Sequence, residues 1–155
     1  DMHVEAAIIK MELNAFSDRI ATQLSGGEQA RALIARALAQ DTPILMADEP
    51  TASLDPANQI STLKTFSELA QAGRGIIASI HDLGLAARYC TKLALLDRGK
   101  LVAFGSADAV LTPDNLRTVF SIEAHYEKTK EGIIFQPLSV LEKSNKNFAQ
   151  GDTLK

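Results

Sequence analysis

The stretch from Leu24 to Asp55 constrains the fold of this chain more than any other. It opens with the run LSGGEQ, closes with ILMADEPTASLD, and carries apolar residues at helical spacing in between. The middle part therefore predicts a helix with one apolar face. That face consists of Ala30, Leu33, Ile34, Ala37 and Leu38. The unbroken apolar run Ile44–Ala47 predicts a parallel strand that is buried on both faces.

The start of this helix combines a cap with bare backbone. Ser25 and Glu28 have the spacing of a capping box, in which each side chain accepts a hydrogen bond from the backbone N–H of the other residue. Gly26 and Gly27 expose the N–H groups of the first turn, which suit an anion such as phosphate. The segment therefore predicts a helix start that can face a phosphate group.

Two adjacent carboxylates follow the predicted strand. Asp48 and Glu49 come directly after it, at the carboxyl end of the strand, where open α/β sheets place ligands. One carboxylate can hold a magnesium ion while the other activates water. Pro50 is expected to keep Glu49 extended rather than helical. Asp55, followed by proline, predicts the start of the next helix.

A second apolar run with a polar end lies further along the chain, at Ile76–Ile80. His81 follows it, and Asp82 can cap the helix after it. Strand alternation places Ser79 on the face of His81, but no nucleophile elbow accompanies them, so a hydrolase triad is not predicted. Because capped helices alternate with buried strands, we expect an α/β core with parallel strands at Ile44–Asp48 and Ile76–Ile80.

The remaining sequence predicts short elements and a tail. Leu93–Leu96 and Leu101–Phe104 flank the run DRGK, which is typical of a β-hairpin. Two short capped helices follow, and a last hairpin is expected around Thr129–Gly132. Ser139–Lys155 is polar and weakly patterned, so we expect much of it to be a mobile tail.

Together these motifs resemble those of ATP-binding-cassette (ABC) ATPases. Leu24–Arg31 resembles the signature motif of that family, Ile44–Glu49 its Walker B strand with the catalytic glutamate, and Ser53–Asp55 its D-loop. His81 occupies the position of the family's switch histidine. The resemblance covers 1 to about 120 of the chain and implies a P-loop NTPase-like α/β core.

The resemblance also implies a role for each motif. In such ATPases two nucleotide-binding domains close head to tail around two ATP molecules, and catalysis is mostly positioning and electrostatics. Asp48 would hold magnesium through water, Glu49 would polarise the attacking water, and His81 would stabilise the transferring phosphoryl group. Asp55 would couple the two sites. Across the dimer, the γ-phosphate would be lined by Ser25, Gly26, Gly27 and Glu28.

The resemblance begins in the middle of the family's domain. The loop G-x-x-x-x-G-K-[ST], which wraps the nucleotide phosphates, is absent from the 155 residues. The only Gly-Lys pair is Gly99-Lys100, and Ala94 stands where the first glycine of the loop should be. We therefore expect the C-terminal part of an ABC ATPase, inactive alone. The predicted organisation is a partial domain over 1–138, with part of a helical subdomain and the signature helix in 1–40, part of the catalytic core in 41–138, and the tail in 139–155.

The composition of the chain and a resemblance to one group of ABC ATPases limit the kinds of partner that we expect. A net charge of −3 argues against a general basic surface that would bind nucleic acid. The single Cys90 agrees with a reducing compartment. No apolar run reaches transmembrane length. The run HDLGLAARY and Gly105–Phe120 resemble importer ATPases for iron-siderophore, haem or cobalamin uptake. That resemblance implies a second nucleotide-binding domain, a membrane permease and, indirectly, a solute-binding protein as partners at the cytoplasmic face of the membrane.

Two functions of other classes stay open. One is a soluble ABC ATPase acting on ribosomes or DNA, although those of the DNA-repair kind usually lack the switch histidine and carry long coiled coils. The other is a non-catalytic interaction fragment. The missing phosphate loop makes this second alternative a serious one for the isolated chain.

Overall fold

The described part of this computed structural model comprises residues 1–52, 54–130 and 132–141. It forms two compact units, of which the first spans Asp1–Thr91 and the second begins at Lys92. Ser53 of the D-loop-like segment and residues 142–155 of the expected tail lie outside the described residues. No helix in the described ranges is long and apolar enough to cross a membrane.

Two helices pack against each other at the start of the first unit. Helix α1 (Met2–Lys10) is capped by the side chain of Asp1, and α2 (Gly26–Ala39) follows two short 3-10 turns. These turns span Asn14–Phe16 and Ala21–Gln23. The helix predicted after the LSGG run is thus confirmed.

The buried face of α2 differs from the predicted one at two residues. Ile34 and Leu38 are buried as expected, but Leu33 is 58% exposed and Ala35 is buried in its place. Ala35 belongs to the same core cluster as Ala7 of α1. Because α1 covers this side of α2, the helix buries a surface toward α1 in addition to the one toward the sheet.

A two-stranded parallel sheet forms the centre of the first unit. Strands β1 (Ile44–Ala47) and β2 (Gly75–Ala78) pair in parallel, as predicted. One face carries Leu45, which is 5% exposed and belongs to the core cluster. The other face carries Met46, which is 73% exposed, and Ile77. The prediction that β1 is buried on both faces is therefore wrong, because helices of the described residues cover only one face.

Two further helices of the first unit begin at the predicted aspartates. Helix α3 (Pro56–Gln71) has Asp55 as its N-cap, and α4 (Leu83–Tyr89) has Asp82. Each aspartate side chain accepts a hydrogen bond from a backbone N–H three residues further on. Phe66 of α3 is 4% exposed and packs in the core cluster, so α3 lies on the covered side of the sheet.

The second unit consists of two antiparallel hairpins with short helical segments between them. Both hairpins were predicted. The strands are β3 (Leu93–Asp97), β4 (Lys100–Gly105), β5 (Ile122–Thr129) and β6 (Gly132–Val140). The helical segments are α5 (Ala107–Val110), α6 (Pro113–Asn115) and a π-helical turn at Leu116–Phe120.

Asp108 of α5 connects this helix to the last hairpin. The hydroxyl of Tyr126 donates a hydrogen bond to Asp108, and Lys128 Nζ lies 3.1 Å from Asp108 Oδ2. Partial burial and the neighbouring carboxylate together raise the pKa of Tyr126 to about 12.

Candidate functional site

The carboxyl ends of β1 and β2 bring four polar residues together. Asp48 and Glu49 follow β1, and Ser79 and His81 follow β2. The backbone N–H of Ser79 donates to the carbonyl of Ala47 at 3.0 Å, so the parallel pairing continues past both strands. Asp48 and Ser79 are therefore the next neighbours in the strand register.

The hydroxyl of Ser79 contacts both carboxylate residues. It donates a hydrogen bond to Asp48 Oδ1 at 2.6 Å and accepts one from the backbone N–H of Glu49 at 2.8 Å. The sequence motifs assign no role to Ser79. The signal that could have found it is its register position, because Ser79 lies one residue past β2 just as Asp48 lies one residue past β1.

Glu49 and His81, the two predicted catalytic residues, are in direct contact. His81 Nε2 lies 2.6 Å from Glu49 Oε1, while the two side chains stay 80% and 48% exposed. The hydrogen bond to Glu49 and its negative charge raise the pKa of His81. The contact therefore favours a protonated imidazole that remains accessible to a ligand.

The backbone of Glu49 is not extended. Its φ angle of +46° lies in the left-handed region, so the prediction based on Pro50 is wrong. Two hydrogen bonds fix this conformation: the Glu49 N–H donates to Ser79, and the Ala52 N–H donates to the Glu49 carbonyl at 3.2 Å. Left-handed backbone at a non-glycine residue is uncommon and tends to occur at functional sites.

Asp48 suits magnesium as a single carboxylate. Magnesium usually keeps several waters and binds one or two carboxylates plus substrate phosphates, rather than a cage of protein ligands. Within the described ranges, no group of three or more His, Cys, Asp and Glu side chains is arranged to hold a metal. The exposed Asp48, with one oxygen held by Ser79, therefore fits a magnesium ion that arrives with a nucleotide.

The segment Ser25–Glu28 forms the predicted capping box. Ser25 Oγ accepts from the Glu28 N–H at 3.4 Å, and Glu28 Oε2 accepts from the Ser25 N–H at 2.7 Å. The latter hydrogen bond lowers the pKa of Glu28. At Gly26 nothing lies within 4 Å of the position that a Cβ would occupy. The first turn of α2, whose N–H groups lack intrahelical acceptors, is thus open to a partner.

Asp55 lies close to this segment through Asn58. The backbone N–H and the amide Nδ2 of Asn58 donate to the two Asp55 carboxylate oxygens at 3.0 and 2.5 Å. These hydrogen bonds lower the pKa of Asp55. A Cβ at Gly27 would lie 3.8 Å from Leu54 Cδ2 and 3.9 Å from Asn58 Nδ2. The structure thus places Asp55 near Ser25–Glu28, whereas Asp48, Glu49 and His81 lie together at the strand ends.

A groove of about 320 Å³ lies between α2 and the end of β1. Leu33 and Met46 line it, and so do Asp48 and Glu49. The exposed Leu33 therefore belongs to a surface that reaches the two carboxylates, which explains why it is not part of the core.

The chain is similar to ABC transporter proteins over most of its length. A family model described as ABC transporter matches residues 1–52. The cobalamin import ATP-binding protein BtuD of Halobacterium salinarum is 48% identical over 118 residues, which are 76% of this chain and 30% of the relative. The hemin import ATP-binding protein HmuV of Nocardia farcinica is 43% identical over 117 residues, which are 76% and 41%. The chain thus spans less than half the length of either relative.

Solved structures have the same architecture. A structure described as an inward-facing metal-chelate type ABC transporter is 29% identical, with a TM-score of 0.77 over 89% of this chain and 57% of that chain. A dimeric ATP-binding cassette in a post-hydrolysis state, bound to ADP and Pi, is 30% identical, with a TM-score of 0.61 over 66% and 45%. These likenesses confirm the predicted fold class, a P-loop NTPase-like ABC ATPase core.

Proposed function

This chain belongs to the ABC transporter family as part of its ATP-binding domain, and from that membership we propose that the protein is the ATP-hydrolysing subunit of an importer. Its cargo would be an iron chelate or a related metal-chelate solute. Two observations support this solute class: the relatives are named as cobalamin and hemin import proteins, and the structural neighbour is described as a metal-chelate type transporter. Because the chain spans 30% and 41% of those relatives, the proposal concerns the whole protein.

The observation that carries the ATPase proposal is the contact of 2.6 Å between Glu49 and His81 beside Asp48. Glu49 would orient the attacking water, and His81 would donate a hydrogen bond to the transferring phosphoryl group. Asp48 would hold magnesium through water, and the bound ion would neutralise charge on the phosphate oxygens. The raised pKa of His81 supports this assignment, because a protonated imidazole faces an anion favourably.

The open first turn of α2 supports a second contact with nucleotide. Ser25–Glu28 would face the γ-phosphate of ATP that a second nucleotide-binding domain holds, since helix N-termini attract anions. Asn58 would transmit changes at that contact to Asp55, which supports coupling between the two sites. The neighbouring cassette that holds ADP and Pi is dimeric, which favours a dimer as the working unit.

A membrane permease would receive the work of hydrolysis, with a solute-binding protein acting on the far side of the membrane. A groove of about 330 Å³ in the helical part of the first unit supports this, with Val4, Ile8 and Phe16 among its lining residues. Such a groove can take an apolar helix of a partner. The protein would then work at the cytoplasmic face of the membrane.

The decisive experiment compares two exposed Glu–His pairs in the full-length protein. Glu49→Gln should reduce phosphate release by about 10²-fold or more, because the amide keeps the shape but cannot act as a base. ATP should still bind and trap a dimer in gel filtration. Glu127→Gln is the matched control, because Glu127 also contacts a histidine, His125, at 3.3 Å. An unchanged rate in Glu49→Gln would contradict the assigned role.

Two further measurements address the partner and the isolated chain. The tagged full-length protein should copurify in detergent with a multi-span membrane protein. Copurification with ribosomes or DNA instead would contradict the proposed transporter function.

The 155-residue chain alone should release little phosphate, because it has no G-x-x-x-x-G-K-[ST] loop to position the nucleotide. Turnover of about one per second or more by that chain would contradict this expectation.

A further inference from the structure

We propose that Ser79 is a positioning residue of the ATPase site, which sets the orientation of both Asp48 and Glu49. The proposal rests on the ATPase function proposed above. Ser79 neither touches the reacting atoms nor replaces any of the groups assigned there. It acts through the two carboxylate residues that its hydroxyl contacts.

The strand register brings Ser79 to this place. Ala47 pairs with Ala78, and the hydrogen bond from the Ser79 N–H to the Ala47 carbonyl carries the pairing one residue further. The Ser79 side chain consequently lies beside Asp48, at the edge where both strands end. A hydroxyl-bearing side chain at this register position can reach the neighbouring strand end, and an alkyl side chain there has no group to donate.

The hydroxyl has one proton, and the geometry decides where it points. A serine hydroxyl offers one donor and two acceptor sites. The backbone N–H of Glu49 can only donate, so it occupies an acceptor site of Ser79 Oγ. The proton is therefore free for Asp48 Oδ1, at 2.6 Å, which is the short distance typical of a hydrogen bond to a carboxylate.

The first consequence concerns Asp48. With Oδ1 engaged by Ser79, the orientation of the carboxylate is restrained, and Oδ2 is the oxygen that Ser79 leaves available. A carboxylate that must hold a water-coordinated ion benefits from such a partner, because outer hydrogen bonds orient metal-binding groups. Ser79 thus selects which oxygen of Asp48 meets a ligand.

The second consequence concerns Glu49. Its left-handed backbone, with φ at +46°, is anchored at the N–H by Ser79, and its carboxylate reaches His81. Without the acceptor at Ser79, the strained backbone can relax toward the extended form that a residue before proline prefers. The side chain of Glu49 would then leave the position from which it contacts His81.

The test compares three serine variants of the full-length protein. Ser79→Ala removes the hydroxyl, Ser79→Thr keeps it, and Ser17→Ala is a matched control. Ser17 is also exposed, and its hydroxyl also donates a hydrogen bond, to the Asn14 carbonyl at 3.1 Å. Each variant is first checked for wild-type thermal unfolding, so that loss of folding is not mistaken for loss of positioning.

Two readouts separate positioning from a structural role. Ser79→Ala should lower kcat by about tenfold and raise the magnesium concentration needed for half-maximal rate, with a smaller change in the KM for ATP. Hydrogen exchange of the Glu49 amide, measured by NMR without nucleotide, should become faster in Ser79→Ala and stay slow in Ser79→Thr and Ser17→Ala.

The outcomes distinguish this inference from the function on which it rests. An inactive wild-type protein would contradict the ATPase proposal, and the amide exchange would still decide whether Ser79 holds Glu49. An active wild type with unchanged kcat, magnesium requirement and Glu49 exchange in Ser79→Ala would overturn the role of Ser79 alone. A loss in Ser79→Ala that Ser79→Thr fails to restore would also overturn it, because the hydroxyl would then not be the responsible group.

Discussion

The two faces of the sheet in the first unit differ strongly in exposure, and this difference predicts how much stability is lost when a side chain on each face is truncated. Leu45 and Met46 are sequence neighbours on β1, yet Leu45 is 5% exposed and Met46 is 73% exposed. Truncating each to alanine in the 155-residue chain therefore compares a buried and an open position within the same strand. We expect Leu45→Ala to destabilise the first unit and Met46→Ala to leave it almost unchanged.

The magnitude follows from the burial of each side chain. Leu45→Ala removes about three buried carbon atoms, worth about 0.8 kcal/mol each, and leaves a cavity in the core cluster. The expected loss in unfolding free energy is about 3 kcal/mol, whereas Met46→Ala should stay within about 0.5 kcal/mol. With a urea slope of about 2 kcal/mol per molar, Leu45→Ala should lower the midpoint by about 1.5 M.

Tyrosine fluorescence can follow the first unit alone. The chain has two tyrosines and no tryptophan. Tyr89 packs against the core cluster of the first unit, and Tyr126 lies in the second. Urea unfolding of both variants in a Tyr126→Phe background therefore reports on Tyr89, and repeating it at several protein concentrations detects self-association.

Equal destabilisation by the two substitutions would refute the reasoning. It would mean that the face carrying Met46 is covered in solution, for example by a second copy of the chain, in which case the midpoint would depend on concentration. A loss of unfolding free energy below about 0.5 kcal/mol for Leu45→Ala would also contradict the prediction, because Leu45 would then not belong to the core.

Three other predictions concern titrating groups. In an NMR titration of the three histidines, His81 should show a raised pKa that Glu49→Gln lowers and Glu127→Gln does not. The contact between His81 and Glu49 should contribute its full stability below the unfolded-state pKa of the histidine, and this contribution should be lost as pH rises through the raised value. Asp55→Ala should lower the thermal midpoint, while Asp55→Ser, which keeps a cap, should not. Because the pKa of Asp55 is lowered, the advantage of the wild type over Asp55→Ala should shrink as pH falls through the lowered value, whereas the advantage of Asp55→Ser over Asp55→Ala should persist, since the serine cap does not titrate there. Tyr126 should ionise near pH 12 in an absorbance titration, and Asp108→Asn should reduce its pKa without returning it to 10, because partial burial, the larger cause, remains.

The parts of the fold that the sequence predicts depend on residues close together in the chain. The capping box at Ser25 and Glu28 and the N-cap at Asp55 each involve residues three positions apart, and both are present. The hairpin at DRGK follows from its turn residues, and Arg98 and Gly99 both adopt positive φ angles there. Short-range signals of this kind do not depend on what the rest of the molecule does.

The features that sequence analysis missed depend on contacts between distant segments. The hydrogen bond from Ser79 to Asp48 joins residues 31 positions apart, so it follows from strand register and from no local motif. The backbone of Glu49 was expected to obey the local rule for a residue before proline, but hydrogen bonds from the surrounding structure override that rule. The exposure of Met46 likewise depends on which segments cover the sheet, and an apolar run does not specify that.

The candidate site and the core beneath it therefore depend on each other. A slip of one residue between β1 and β2 would turn Ser79 to the opposite face and separate it from Asp48, since side chains alternate along a strand. The register is maintained by the residues that point the other way, above all Leu45, which packs under the sheet opposite Ile76. Weakening that packing should loosen the contact between Glu49 and His81 before the unit unfolds, because the strand ends have fewer partners than the strand centre. Leu45→Ala should consequently lower the raised pKa of His81 toward its ordinary value, although Leu45 contributes no group to the site.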